Sequence, residues 1–409
     1  MIATVRRFLG FDLPVPPEHR KNFTHLYWDV AFWGILNGSI VNFLGVYLSR
    51  IGASPFQMGL LTAIPALMNL ILTLPAMLLL GGKPVSKVVP QAALITRAFY
   101  LLLVPLPLLL PPDTQVWVIL GLVLAQNISG TVAVMIGNAF LAESIPSEWR
   151  GQVIGTRSAL VAMTTMVTSV VIGQILTAMS LSGGYMVLFA IGFLGSMASA
   201  YQLFKIKPIA PPQPVSTAAA SPAGMLHLGI LKGPFRKVLV MMFLLNLAIF
   251  LPQPIFPLYQ VKVLHLSDQI ISLAASLFSL VLFVVSAKAG AISRRINFRQ
   301  MTGYGMLIAS GSTMLFVLSF EPWVYFATQL VGGLGWAIFN NGAVNYLLEN
   351  IPADDRPPHL AWFNIAANAA VLLCGLLSQT LVGSLGLSGG MLLAVAFRLI
   401  SGLAVLRFG

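Results

Sequence analysis

Four charged side chains stand where this chain is otherwise apolar, and they are the residues with chemistry to offer. Asp29, Arg97, Arg157 and Arg398 each lie inside a run of about twenty apolar residues. Asp29, between Trp28 and Trp33, is about a turn and a half into its run. Arg157 enters another run to a similar depth, counting about 1.5 Å of rise per residue. A lone charge at such depth is costly and an ion pair much less so, so the two are expected to be partners or to share a watery vestibule. The pair could be static, fixing helix packing, or Asp29 could exchange a proton when a conformational change parts it from Arg157. Arg97 reads as a snorkelling side chain that reaches lipid phosphates. Arg398 lies nearer the middle of its run; turned inward, it would favour an anion.

Other chemistries find no support in the residues. One cysteine, Cys374, sits in an apolar run, which excludes disulfides and cysteine-ligated metals. There is no HExxH, no cluster of His, Asp or Glu, and no GxxxxGK[ST] phosphate loop. An enzyme is therefore not expected, nor a cofactor or metal, and any accumulation of a solute would draw on an ion or substrate gradient.

The elements that must hold these residues follow from composition. Of 409 residues 57% are hydrophobic and 8% charged, with mean hydropathy +0.89, against about 25% charged in soluble domains. The apolar runs fall at roughly 24–48, 56–80, 88–110, 116–141, 152–179, 185–204, 235–259, 267–289, 300–319, 323–348, 358–383 and 388–407. They predict an all-α polytopic membrane protein of twelve transmembrane helices. Residues 1–23 read as a cytoplasmic amino-terminal segment without a cleaved signal, 24–204 as a first six-helix bundle, 205–234 as a cytoplasmic linker rich in Pro, Ser and Ala with one short surface helix, and 235–409 as a second bundle. With the amino terminus inside, 18 basic residues collect on the cytoplasmic side and only Arg50 and Lys262 outside. Both termini are then cytoplasmic. The net charge of +12 belongs to this topology, so no nucleic-acid partner is expected.

The two bundles read as related. Glu143-Ser-Ile-Pro146-Ser-Glu148-Trp-Arg150 returns as Glu349-Asn-Ile-Pro352-Ala-Asp354-Asp355-Arg356 at an offset of 206, with Glu, Ile, Pro and Arg in place. At an offset of 212, Phe23, Tyr47 and Gln57 fall on Phe235, Tyr259 and Gln269. Such internal duplication is the mark of transporters that work by alternating access. Glu143, Arg150, Glu349 and Arg356 are candidate gating residues, able to exchange partners between the halves or to act as static caps.

Two six-helix halves, a long cytoplasmic linker and basic loops after spans 2 and 8 resemble the major facilitator superfamily of secondary transporters. The family's loop signature is carried by Gly290, Ile292, Arg295 and Arg299, while Arg294 stands at its acid and Asn297 at a later Gly. In the first half only the basic positions, Lys83 and Lys87, remain. Span 5 has no Gly-Pro pair, and Gln126 stands where many members carry Arg, both departures from the proton-coupled drug exporters of the family.

The resemblance implies a cavity bordered by spans 1, 4, 7 and 10, flanked by spans 2, 5, 8 and 11, with spans 3, 6, 9 and 12 outside. An amide in hydrocarbon must find a partner, so those on the bordering spans are candidate substrate contacts: Asn37, Gln126, Asn127, Gln253 and Asn341, with Trp336 as a flat apolar face. Packing between helices is the competing reading for any one of them. Prolines 252, 254 and 257 predict a bend in span 7 near its outer end, a place for an outer gate. The expected function is alternating-access transport of a small, largely neutral polar organic solute by a monomer in the plasma (inner) membrane, with protons as partners if Asp29 titrates. A drug or lipid exporter of the same fold and a non-transporting membrane scaffold are the alternatives.

Overall fold

The computed structural model describes residues 17–80, 83–209, 228–288, 292–352 and 355–409. Gly290, Asp354, most of the amino-terminal segment and the centre of the linker, named above, lie outside them.

Among the described residues the chain is helical throughout. The first half comprises α1 (Pro17–Leu36), a π-helical turn at Asn37–Val41, α2 (Asn42–Arg50), α3 (Pro55–Leu80), α4 (Val85–Leu103), the short α5 (Leu106–Leu109), α6 (Pro112–Ser144), α7 (Ser147–Ala178) and α8 (Leu181–Lys205). After a 3₁₀ turn at Leu228–Lys232 come α9 (Phe235–Phe250), α10 (Ile255–Lys262), α11 (Asp268–Ala287), α12 (Phe298–Val317), α13 (Pro322–Glu349) and α14 (Arg356–Phe408). The last is two helices, broken at Gly386, whose φ of 70° and ψ of 177° lie outside the helical region. Nine stretches of the described residues are long and apolar enough to cross a membrane. Large apolar side chains such as Val134, 76% exposed, and Ile400, 64% exposed, lie on the surface, as suits helices set in lipid.

Sequence punctuation accounts for the breaks. Pro252 and Pro254 lack the N–H a continuous helix would need, and α9 gives way to α10 across Leu251–Pro254, as the proline run predicts. Asn297, off the family pattern, instead caps α12. Its side chain accepts from the N–H of Gln300, and Gln300 returns the bond to the Asn297 N–H in a capping box. Arg299 then donates to the carbonyls of Val405 (3.1 Å) and Leu406, at the negative end of the last helix.

The repeated tyrosines are buried alike. Tyr47 and Tyr259 are each 1% exposed. Tyr47 donates to the Gln115 carboxamide at the start of α6, and Tyr259 to the carbonyl of Val317 at the end of α12, 3.0 Å away. Within the first half, hydroxyls fasten helices to one another: Thr165 donates to the Gly34 carbonyl (3.3 Å) and Ser169 to the Gly38 carbonyl (3.2 Å).

The halves meet along α3 with α14, α7 with α11, and α2 with α10. Gly59 and Gly375 bring two backbones into direct contact, since a Cβ built on either would land on backbone atoms of the other. Around them Ser378 donates to the Pro55 carbonyl (2.9 Å), the Phe56 N–H to Gln379 (3.0 Å), and Lys262 to the Ala53 carbonyl (3.3 Å). Arg50 pairs with Asp268 at 3.0 Å and also reaches the Leu266 carbonyl. These bonds seal one end of the molecule. At the other end each half ties to its own elements: Asn22 exchanges two hydrogen bonds with Lys207, the Ile209 N–H reaches the Glu143 carbonyl, and His359 packs on Phe235.

Gly375→Leu should therefore wedge the sealed end apart. The expected outcome is a loss of about 1–3 kcal/mol of stability, the usual cost of overpacking, and faster thiol labelling of a Thr62→Cys reporter in a Cys374→Ala background. Unchanged stability and labelling would show that the close approach does not hold the seal.

Candidate functional site

Two polar sites lie inside the helical body. The first is a cavity of about 610 Å³ beside the break between α9 and α10, within the range of small-molecule sites. Both halves wall it. Asn42, Gly45 and Thr62 come from α2 and α3, whereas Gln253, Gln260, Gln329 and Trp336 come from the second half. Phe256, Phe278, Phe316 and Phe339 supply apolar faces. Gln260 donates to the Tyr325 hydroxyl at 2.8 Å and is thereby fixed, but among the described residues the amides of Gln253 and Gln329 have no protein partner. They are available to an occupant.

Residues of α12 and of the last helix also line the cavity, contrary to the expectation that spans 9 and 12 stand outside. Ser312 and Thr313 project from α12, and Arg398 from beyond Gly386. The interruption of the seventh span is the reason: where helical continuity stops at Phe250, groups from behind reach through. Arg398, 8% exposed, donates to the Ala248 carbonyl (3.1 Å), the Ile249 carbonyl (3.2 Å), the Ala309 carbonyl (3.3 Å) and the Thr313 hydroxyl. Its guanidinium carbon also lies 5.9 Å from the Phe256 ring centre. The Ala248 carbonyl would bond the N–H at position 252, which Pro252 lacks. The Ile249 carbonyl would bond the Gln253 N–H, which turns instead to Phe250. Arg398 thus satisfies two acceptors that the prolines leave open.

The second site is built on Asp29, 4% exposed. Arg157 donates to one carboxylate oxygen at 3.3 Å and to the Leu26 carbonyl at 3.0 Å. Ser199 donates to the other oxygen at 2.6 Å. The expected pairing of Asp29 with Arg157 is present. Arg97 corrects the lipid-facing reading: it is 7% exposed, lies 3.6 Å from the same carboxylate, and stacks 5.1 Å from the Trp33 ring centre. A guanidinium at this depth is stabilised more by an internal carboxylate than by snorkelling, and Asp29 was the acid in reach. One carboxylate thus joins α1, α4, α7 and α8.

Of the remaining candidates, Gln253 and Trp336 line the cavity. Asn37, Asn127 and Asn341 do not. Each donates to the carbonyl one turn back in its own helix, at Trp33 (3.2 Å), Val123 (2.7 Å) and Ala337 (2.8 Å). Gln126 is outside the cavity lining too. Glu143 is buried and Glu349 exposed, so the repeated break motif is not matched in burial. Arg150 reaches the Ala142 carbonyl at 3.3 Å, and Arg356 is exposed. Sequence reasoning missed Thr62, Ser279 and Gln260, short or amide side chains with no signal beyond their place on the flanking and bordering spans.

This geometry has relatives. The chain resembles a mutant form of the nucleoside transporter NupG, with a TM-score of 0.72 and 13% identity over 95% of this chain and 100% of that one. A peptide transporter POT in complex with sulfate gives 0.67 at 13% identity, over 96% and 94%. A bacterial homologue of the iron transporter ferroportin in an inward-facing state gives 0.66 at 13% identity, over 95% and 98%. No curated protein sequence matches the chain. The family model of the Major Facilitator Superfamily matches residues 29–319 and 238–409. Two helical bundles, a cavity walled by both and this match across the chain lead to one assignment: the protein is a membrane transporter belonging to the Major Facilitator Superfamily.

Proposed function

We propose that the protein moves a small polar organic solute by alternating access, exposing the cavity beside the α9–α10 break to one face of the membrane and then the other. The observation that carries this reading is the cavity's position. Both halves supply its walls, and inter-half bonds close one end above it, so rocking of one half against the other would change its access without rebuilding it. The moving units are residues 24–204 and 235–409, joined by the linker. Trp336 and the phenylalanines offer ring faces, and Gln253 and Gln329 offer hydrogen bonds, which suits a solute with polar groups on a partly apolar frame.

The bias of basic residues supports cytoplasmic termini and a plasma (inner) membrane location. On that orientation Arg50, Lys262 and Asp268 lie outside, and the described state is closed to the outside.

Asp29 serves in this reading as a static fastener of the first half, not as a coupling proton site. Both of its oxygens are engaged, by Arg157 on one side and by Ser199 and Arg97 on the other. Asp29→Asn leaves the buried guanidinium of Arg97 and the partly buried one of Arg157 without their counter-charge, and the expected loss is about 3–5 kcal/mol, as for other buried pairs broken on one side. Thermal unfolding in detergent measures it. In proteoliposomes, transport per folded molecule should keep its dependence on an imposed pH gradient. A mutant of normal stability that has lost only that dependence would return Asp29 to proton coupling.

A second test addresses transport itself. Arg50→Ala together with Asp268→Ala loosens the seal by removing a partly exposed ion pair, of roughly 0–1 kcal/mol. Stability should hardly change, while solute exchange in proteoliposomes, with solutes chosen by a thermal-shift screen, should change in rate. If no solute of any class stabilises or crosses, the scaffold reading gains and the transport reading falls.

A further inference from the structure

Arg398 is the one charged side chain among the described residues lining the cavity. Its hydrogen-bond donors are largely satisfied by three carbonyls and a hydroxyl, but its charge is not. No carboxylate among the described residues comes within ion-pair range of it. The other arginines inside the helical body differ, since Arg97 and Arg157 share Asp29. Four dipoles reduce the cost of a buried cation without cancelling it, and a cation at low dielectric gains most from an anion placed beside it. Closing the α9–α10 break needs donors only. A glutamine or an ordered water would supply them without the cost of a charge.

The rest of the wall says what carries that anion. Phe256 lies against the guanidinium, and Phe278, Phe316, Phe339 and Trp336 complete an aromatic surface around the same space. Gln253 and Gln329 have free amides beside it. Such a site discriminates against cations, holds one anionic head, and packs a flat apolar body. We propose that the transported solute is an organic monoanion, an aromatic carboxylate in chemical class, with its head group held by Arg398. This rests on the transport reading above, narrows its small polar organic solute to an anionic one, and departs from the largely neutral solute the sequence led us to expect.

The test uses the full chain purified in lipid nanodiscs, with indole-3-acetate and benzoate as probes. Their neutral amides, indole-3-acetamide and benzamide, match them in shape, and inorganic sulfate presents an anion without the ring. Binding is followed by isothermal titration and by the shift of the unfolding temperature. The wild-type protein should bind an acid and not its amide, with sulfate much weaker. Arg398→Gln retains donors for the helix carbonyls and removes the charge, and should weaken acid binding roughly 10- to 100-fold, as for loss of a hydrogen bond to a charged group. Arg398→Lys should recover part of it. Equal binding of acid and amide, or no response to either acid, overturns the proposal, and this contrast needs no variant. An Arg398→Gln protein that unfolds normally and keeps full acid affinity overturns it as well. Sulfate binding as tightly as the acids would remove the aromatic body from the assignment. Alternating access is read separately, from distances between the halves, so a failure here with that motion intact concerns only the solute class.

Discussion

In a bilayer a polar group has no water to fall back on, and this constraint arranges everything inside the protein. Asp29 gathers Arg97, Arg157 and Ser199, and four helices are tied where one carboxylate stands. The prolines of the seventh span open two carbonyls, and Arg398 crosses from the last helix to meet them. Serines and threonines bond backbone carbonyls across helix contacts, and asparagines bond the turn behind them. These interactions remove most isolated polar groups from hydrocarbon; a few atoms such as Ser49 Oγ and Trp362 Nε1 stay buried without a hydrogen bond, and the cavity keeps the amides of Gln253 and Gln329 and the charge of Arg398 for an occupant.

The two kinds of polar site divide the labour. The Asp29 network lies within one half and stiffens it, so that the half can move as a body. Contacts between the halves are of another kind: a glycine pair in backbone contact, single hydrogen bonds both near helix ends and in mid-helix, as from Ser276 to the Met166 carbonyl and from Asn69 to Asn368, and one partly exposed ion pair, Arg50 with Asp268. A single partly exposed pair of this sort contributes modestly to stability, which suits the proposed opening of the seal. The cavity lies beside that seal, so an occupant touching Asn42 or Thr62 on one wall and Gln253 or Trp336 on the other can change how the halves close.

Much of this was legible in the sequence. Apolar runs and the duplicated Tyr47/Tyr259 and Glu143/Glu349 positions foretold a duplicated helical membrane protein, and Asp29 found Arg157 because depth in a span can be counted in residues. Prolines 252 and 254 located the break. The amides were less informative, because an asparagine in a span can satisfy its own donor on the carbonyl four residues back, as Asn37, Asn127 and Asn341 do; polarity alone does not tell a cavity wall from a helix surface. Arg97 was misread because its partner is far along the chain and only packing brings it near. Arg398 was legible as a residue that could turn inward, and the structure places it in the cavity wall although its helix belongs by the family rule to the periphery, an average rule that a broken neighbouring helix overrides locally. The π turn at Asn37–Val41 had no sequence signal beyond Gly38.

The central claim is that one rigid half rocks on the other about the cavity. Double electron–electron resonance on two doubly labelled proteins tests it most directly, in a Cys374→Ala background reconstituted in lipid. One carries labels at Phe56→Cys and His265→Cys across the seal, the other at Trp149→Cys and Arg356→Cys at the opposite ends of the halves. The account predicts two distance populations at each end with opposite response to a bound solute, so that gain of the long distance at the seal accompanies gain of the short distance at the other end. A single, solute-independent distance at both ends, or changes of the same sign at both, would contradict it.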